Sequence, residues 1–208
     1  MLTKEQLKIF HVFKKDIFAK LTFKQLKQLS RQKSNNVVQI ALKEFKRLNL
    51  LETQKTGNVA TYSLSLDNNL ALAYLNLINE IEVYNNKKLP KNILEDIKNR
   101  IFKHSEFFIL IVFGSYAEGK AAEKSDLDIA VIVESGSSKK EITPYLETIK
   151  RREIIKIDYH VFTREYFIEM LEIDEENVGK QIYRKNIIYY GLVPYYNMIK
   201  ELKHGKIS

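Results

Sequence analysis

The sequence of 208 residues contains no cysteine, and this absence excludes two kinds of site. Neither a disulfide framework nor a thiolate metal site can form without that residue. Long hydrophobic runs are also missing, because the longest, at residues 107–113, is far shorter than the roughly 20 residues that a membrane-spanning helix needs. The first ten residues, MLTKEQLKIF, lack the apolar core of a signal peptide. We therefore expect a cytoplasmic protein that has no membrane as a partner.

Positive charge is concentrated in the first third of the chain. Residues 1–66 hold 13 Lys or Arg and 4 Asp or Glu, out of totals of 34 and 26, so the remainder has a small negative balance. The net charge of +8 thus comes entirely from residues 1–66. Such asymmetry is typical of a nucleic-acid-binding module joined to a roughly neutral one. A Lys-rich surface that only improves solubility would produce the same balance, so both interpretations stay open.

The hydrophobic pattern of this basic third predicts two helices, a turn, a third helix and a hairpin. Apolar residues at helical spacing predict helices over residues 2–15, 23–31 and 36–48. Thr22 is placed to cap the second helix, and the Gly-containing segment 55–58 predicts a hairpin turn between two alternating runs. This order of elements resembles the winged helix-turn-helix family.

The resemblance implies that the third helix enters the major groove of duplex DNA. Polar and basic side chains on one face of that helix would make the contacts: Asn36, Gln39, Lys43, Lys46 and Arg47. Asn and Gln can read adenine edges, whereas Lys and Arg can bind phosphates or guanine. A solvated helix face in a protein–protein module would look the same, so DNA is one of two partners that the pattern allows.

Residues 70–84 predict a long helix that is apolar over more than half of its circumference. One neighbour cannot cover such a helix, so it would pack between two domains or against a second copy of itself. We predict a homodimer that uses this helix. The expected organisation is a winged helix-turn-helix domain at 1–66, a linking helix at 67–88 and a second domain at 89–208.

The most informative stretch is FGSYAEGKAAEKSDLDIAV, residues 113–131. The apolar run before it predicts a strand covered on both faces, and Gly114 and Ser115 end that strand. From Leu127 apolar residues alternate, which predicts a second strand with Asp126 and Asp128 together on its other face. Two such carboxylates repel each other unless a cation lies between them, and Mg²⁺ prefers these oxygen ligands.

The Gly-Ser pair suits an anionic ligand in the same segment. Glycine lets the backbone approach a phosphate closely, and backbone amides and a serine hydroxyl can donate hydrogen bonds to it. The combination is suited to a metal-bound nucleoside triphosphate. The segment closely resembles the signature of the DNA polymerase β-like nucleotidyltransferase superfamily, which is Gly-Ser, ten residues and Asp-x-Asp. The resemblance covers about residues 91–190.

The superfamily implies a third carboxylate on a neighbouring strand, and Asp158 within EIIKIDYHVF is the candidate. A lone aspartate in a strand can also protect a sheet edge from pairing, but the two preceding carboxylates favour the functional interpretation. His160 would share the face of Asp158, where a structural role is more common than a catalytic one.

The resemblance implies an α+β protein in which the winged helix precedes a small mixed sheet flanked by helices. It also implies a Mg²⁺-dependent nucleotidyltransferase, in which Asp126, Asp128 and Asp158 are both catalytic and metal-binding residues for two Mg²⁺ ions, with Mn²⁺ as a substitute. Gly114, Ser115 and Lys120 would bind the triphosphate of the NTP, taken to be ATP. Glu118 departs from the pattern, because relatives often carry a basic residue at this position.

Two functional hypotheses follow from these observations. The catalytic part looks like the minimal nucleotidyltransferases of prokaryotes, some of which are antitoxins that transfer AMP to a HEPN-type partner protein. The first hypothesis is therefore an enzyme that moves AMP from ATP to a hydroxyl acceptor, which could belong to a partner protein. The alternative is a DNA-binding transcriptional regulator whose transferase-like domain only binds nucleotide or mediates assembly.

Overall fold

The structure, a computed structural model, describes residues 1–205 and divides the chain into two units. The first unit is Met1–Glu80, and the second begins at Ile81. Each unit contains its own small β-sheet with helices beside it, so the predicted α+β class is confirmed. Within the described residues, no helix is both long enough and apolar enough to cross a membrane.

The first unit contains a three-stranded antiparallel sheet in the order β1-β3-β2. Its elements are α1 (Lys4–Phe10), α2 (Val12–Lys15), β1 (Leu21–Thr22), α3 (Phe23–Leu29), α4 (Asn35–Arg47), β2 (Leu51–Thr56), β3 (Val59–Leu64) and the first part of α5 (Asn69–Asn85). The helix predicted over residues 2–15 is two helices that meet at His11.

Local signals explain where several of these elements begin. Thr22 accepts a hydrogen bond from the backbone of Gln25, whose side chain in turn bonds the backbone of Thr22, so the predicted cap of α3 is a complete capping box. The predicted hairpin is also confirmed, and Gly57 takes the positive φ that its turn needs. The two-residue strand β1 was not predicted, because two residues are too few to display an alternating pattern.

Aromatic rings from distant parts of the first unit form its core. The ring centroid of Phe10 lies 5.3 Å from that of Phe45 and 6.2 Å from that of Tyr74, both in edge-to-face arrangement. The Tyr74 hydroxyl accepts a 3.1 Å hydrogen bond from the backbone amide of Leu2. The first half of α5 is therefore part of this core and cannot be regarded as a linker alone.

The second unit contains a four-stranded mixed sheet in the order β6-β5-β4-β7. β5 and β6 are parallel and are joined by α8, while β4 is antiparallel to both β5 and β7. Its elements after α5 are α6 (Lys91–Phe102), β4 (Phe108–Phe113), α7 (Gly114–Ala117), β5 (Leu127–Val133), α8 (Gly136–Arg152), β6 (Ile157–Thr163), α9 (Arg164–Glu172), α10 (Val178–Arg184), β7 (Asn186–Tyr190) and α11 (Leu192–Gly205).

The two faces of this sheet have different neighbours. Alternate residues of β4 and β5, among them Leu110 and Ile129, join Ile97 of α6 and Ile149 of α8 in one apolar cluster. All six residues of β4 are buried, as expected for a strand covered on both faces. Residues of β5 with the parity of Asp128 therefore point to the face opposite α6 and α8.

The elements on either side of the aspartates begin at defined residues. The Gly-Ser pair opens a short helix, α7, which ends at Ala117. The strand predicted within EIIKIDYHVF begins only at Ile157, because residues 153–156 form the connection from α8, in which Ile154 is exposed and Ile155 is partly buried. Tyr195 and Tyr196 of α11 are both buried, so their rings contribute to packing.

Candidate functional site

The parallel register of β5 and β6 places Asp128 directly beside Asp158. Both side chains point to the sheet face opposite α6 and α8, where Asp128 is half-buried and Asp158 is exposed. Burial raises the pKa of Asp128, and the negative charges of Asp158 and Asp126 raise it further. The three predicted carboxylates therefore lie close enough to act on one another electrostatically.

Asp126 lies just before β5, and the lysine that lies just before the neighbouring strand β6 is bound to it. The ammonium group of Lys156 donates a 2.5 Å hydrogen bond to Oδ2 of Asp126, and this bond raises the pKa of Lys156. The backbone carbonyl of Lys156 also accepts a 2.8 Å hydrogen bond from the amide of Leu127, which extends the ladder between the strands. Lys156 was not predicted as a site residue, since nothing in its local sequence reports this pairing across strands.

Gly114 joins the end of β4 to α7 and lies against Asp128. Its φ of +65° is in the left-handed region that favours glycine. A Cβ atom at this position would lie 2.2 Å from Oδ2 of Asp128, so a larger residue would displace the carboxylate or the turn. Ser115 follows in the first turn of α7 and is half-buried. The Gly-Ser pair and the aspartates thus share one edge of the sheet.

The charge pattern beside this turn is unexpected. Glu118 accepts hydrogen bonds from two ammonium groups, at 2.5 Å from Lys120 and at 2.6 Å from Lys185. These bonds lower the pKa of Glu118 to about 2. Lys120, predicted to contact nucleotide, is therefore bound to an internal carboxylate, and Lys185 is a basic residue near the site that the sequence did not reveal.

His160 lies on the same face of β6 as Asp158, two residues further along the strand. Its ring is 6.0 Å from the Phe113 ring and is stacked at 5.7 Å on Phe162. The side chain is half-buried in this aromatic group. These contacts favour the structural role expected for it.

The donor chemistry of the aspartates fits a hard divalent cation, although their present arrangement does not enclose one. Among residues 1–205, no group of three or more His, Cys, Asp or Glu side chains is positioned to hold a metal ion. Asp126 is bound to Lys156. Asp128 has a raised pKa, which a nearby cation would lower. The residues fit Mg²⁺ by ligand type, provided that Asp126 releases Lys156.

The residues predicted to contact DNA all lie on α4 of the first unit. Their side chains are exposed, and the opposite side of the helix is buried in the core: Asn36, Gln39, Lys43, Lys46 and Arg47 are exposed, whereas Val38, Ala41, Leu42 and Phe45 are buried. Arg47 donates two hydrogen bonds to Glu44, at 2.8 and 2.7 Å. Lys46 lies 5.5 Å from the centroid of the Tyr62 ring. Gln39 and Lys43 are exposed on the same face of α4.

Comparison with known proteins gives one finding for the second unit. Residues 95–190 match the family model described as Polymerase beta, Nucleotidyltransferase. No curated protein and no solved structure matches the chain. The matched segment runs from α6 to β7 and includes Gly114, Ser115 and the three aspartates. The match supports the polymerase β-like nucleotidyltransferase superfamily for this part of the chain.

Proposed function

We propose that the second unit is a Mg²⁺-dependent nucleotidyltransferase that moves AMP from ATP to an acceptor hydroxyl. The observation that carries this proposal is the placement of Asp128 beside Asp158, with Gly114 packed against the Asp128 carboxylate. The family match over residues 95–190 supports the same general activity. An acidic sheet edge beside a glycine turn is the arrangement that placing a triphosphate next to a metal requires.

The three aspartates share one role in this proposal, and Asp158 has a second. Asp126, Asp128 and Asp158 would hold two Mg²⁺ ions, which when bound would neutralise phosphate charge and lower the pKa of the acceptor hydroxyl. Asp158 is the more exposed member of the Asp128–Asp158 pair, so an acceptor can approach it from solvent. Its carboxylate would accept the proton of that hydroxyl.

The other residues would orient the nucleotide. Gly114 has no side chain, which lets the turn lie against the Asp128 carboxylate, and the backbone of this turn would approach a phosphate closely. The Ser115 hydroxyl would donate a hydrogen bond to a phosphate oxygen. Lys120 would add a positive charge. A bond forms between the acceptor oxygen and the α-phosphorus, the bond from that phosphorus to the bridging oxygen of the β-phosphate breaks, and pyrophosphate leaves.

The acceptor and the role of the first unit complete the proposal. The exposed polar face of α4 supports a winged helix-turn-helix that binds duplex DNA, with phosphates held by Lys43 and Lys46. A hydroxyl on a HEPN-type partner protein would be the acceptor if the chain acts as an antitoxin. Leu70, Ile81 and Tyr84 of α5 are exposed apolar residues, which supports a homodimer through this helix. A molar mass of 24.5 kDa by light scattering, which is the mass of a single chain, would exclude the homodimer.

The second candidate function is a DNA-binding regulator whose second unit senses nucleotide without turning it over. Two internal ion pairs favour it, because Lys156 holds Asp126 and Glu118 holds Lys120. Both pairs compete with the metal and the triphosphate for the same side chains. Titration calorimetry with Mg-ATP shows whether the chain binds ATP. The regulator would bind ATP and release no pyrophosphate with any acceptor, whereas the enzyme would release it.

Label transfer tests the enzyme directly. The protein is incubated with Mg²⁺, a cell extract and each of the four ribonucleoside triphosphates labelled on the α-phosphate. We expect a labelled product with the wild-type chain and none with the double variant Asp126→Asn, Asp128→Asn. Asp174→Asn is the matched control, because Asp174 is an exposed aspartate outside the sheet. Transfer that persists in the double variant would remove the site assignment.

A further inference from the structure

The carboxylate of Glu118 joins two lysines from separate parts of the second unit. Lys120 follows α7, and Lys185 lies between α10 and β7. The hydrogen bonds measure 2.5 Å from Lys120 and 2.6 Å from Lys185. The two lysine side chains are 74% and 64% exposed, whereas that of Glu118 is 23% exposed. Two exposed ammonium groups are thus bound to a less exposed carboxylate.

The register of β4 and β7 places Lys185 beside the glycine turn. Phe113 pairs with Asn186 in this antiparallel ladder. One step further along the ladder, Gly114 lies opposite Lys185. Gly114 in turn lies against Asp128. Lys185 is therefore at the same sheet edge as the residues proposed above to bind the nucleotide.

The backbone at Lys185 is fixed, although its ammonium group is exposed. The side-chain amide of Asn186 donates hydrogen bonds to the carbonyls of Ile182 and Tyr183, at 2.9 and 3.0 Å, and to the hydroxyl of Tyr195 at 3.3 Å. A fixed backbone with a flexible four-carbon stem lets the ammonium group move between two anions without a change of fold.

We propose, on the basis of the function proposed above, that Lys185 binds the triphosphate and that Glu118 occupies the place of a terminal phosphate between Lys120 and Lys185 until nucleotide displaces it. A carboxylate and a phosphate both present anionic oxygens to ammonium donors, so one can substitute for the other. Glu118 carries one negative charge and leaves the pair of lysines with a net positive charge. A triphosphate carries more charge and can replace it.

This arrangement makes opposite predictions for Glu118 and its partners. Removal of Lys185 takes away a phosphate ligand and weakens triphosphate binding. Removal of the Glu118 charge leaves two lysines with no internal anion and strengthens triphosphate binding. AMP lacks the β- and γ-phosphates, so neither change should alter its affinity.

Titration calorimetry on the full chain tests the proposal with three probes, each with Mg²⁺: ATP, inorganic tripolyphosphate and AMP. We expect Lys185→Ala to weaken ATP and tripolyphosphate about tenfold, Lys185→Arg to restore most of the affinity, and Glu118→Gln to strengthen both by several fold. AMP affinity should stay constant throughout. Lys103→Ala is the matched control, because Lys103 is an exposed lysine at the end of α6.

The outcomes separate this proposal from the function on which it rests. If the wild-type chain binds ATP and Lys185→Ala leaves that affinity unchanged, the role of Lys185 is overturned while the proposed function stands. If Glu118→Gln weakens tripolyphosphate, Glu118 helps to build the site and the displacement is overturned. If the wild-type chain binds neither ATP nor tripolyphosphate, the proposed function fails and takes this proposal with it.

Discussion

Lys156 and Asp126 form an ion pair of 2.5 Å between the residues that precede two parallel strands. The ammonium group holds the carboxylate that the proposed metal site needs, so a metal ion and Lys156 compete for Asp126. The pair joins a lysine that is largely exposed to a carboxylate that is about one-third exposed, and surface pairs of this kind contribute little free energy. A divalent cation can therefore displace the lysine at small cost.

Replacement of Lys156 by Gln should strengthen metal binding. We expect Mn²⁺ to raise the melting temperature of the wild-type chain and to raise that of Lys156→Gln further, because the competing cation is gone. Thermal melts over a range of Mn²⁺ concentrations measure this effect, with Lys103→Gln as the control. Equal melting temperatures with and without saturating Mn²⁺ in both proteins would argue against any assembled metal site.

Two glycines with similar positive φ angles allow the Gly114–Asp128 contact to be tested. Gly114 has a φ of +65° and Gly119 a φ of +68°, but a Cβ atom at Gly119 would meet nothing within 4 Å. Gly119→Ala should lower the free energy of unfolding by about 1 kcal/mol through the backbone alone. Gly114→Ala should cost roughly 1–3 kcal/mol more, because its Cβ atom would displace the Asp128 carboxylate.

Urea unfolding of the two variants measures the difference, and calorimetry with Mg-ATP shows whether the site survives. We expect nucleotide binding to be lost in Gly114→Ala and kept in Gly119→Ala. Equal losses of stability in the two variants would mean that Asp128 moves aside without cost, which would contradict a tightly fitted turn.

The titration of Glu118 provides a pH test of its bonds to Lys120 and Lys185. These bonds lower the folded-state pKa of Glu118 from 4.5 to about 2. They therefore stabilise the folded state above about pH 4.5, and this stabilisation is lost as the pH falls towards 2. An NMR titration of the Glu118 carboxyl carbon should give a midpoint well below 4.5. In Lys185→Ala the midpoint should move up. An unchanged midpoint would mean that Lys185 does not hold the carboxylate in solution.

The exposed face of α4 predicts a specific pattern of DNA binding. Lys43→Ala should weaken binding to all duplex sequences and reduce the slope of log affinity against log salt concentration by about one. Gln39→Ala should instead relax the base preference at one position of the DNA site. Arg47→Ala should have a smaller effect than Lys43→Ala, because Glu44 already binds its guanidinium. Fluorescence anisotropy at several salt concentrations measures these slopes. If Lys43→Ala leaves DNA affinity unchanged, as the surface control Lys139→Ala should, the exposed face of α4 is not the DNA-binding surface.

Much of the fold could be predicted because its signals are local. Thr22 predicts the start of α3, and the apolar run before Gly114 predicts β4. The spacing from Gly114 and Ser115 to Asp126 and Asp128 also lies in one segment, so it was visible without any knowledge of the tertiary structure. Hydrophobic period, capping chemistry and motif spacing all report on residues that are near in sequence.

The residues that the sequence did not reveal depend on pairing between distant segments. Lys185 precedes β7 and reaches the site because β7 pairs with β4. It lies 67 positions after Glu118 in the chain. Lys156 reaches Asp126 because β6 lies parallel to β5, in a register that no local pattern specifies. Likewise, the role of α5 in the core of the first unit depends on Tyr74 meeting Phe10.

We propose that Asp126, Asp128 and Asp158 support transfer of the α-phosphoryl group of ATP, with its nucleoside, to an acceptor. The most direct measurement compares ATP labelled on the α-phosphate with ATP labelled on the γ-phosphate, in the presence of Mg²⁺ and a cell extract. We expect a labelled acceptor from the α-label alone, release of the γ-label as pyrophosphate, and neither event in Asp128→Asn. Labelling from the γ-phosphate, or α-label transfer that Asp128→Asn leaves intact, would contradict it.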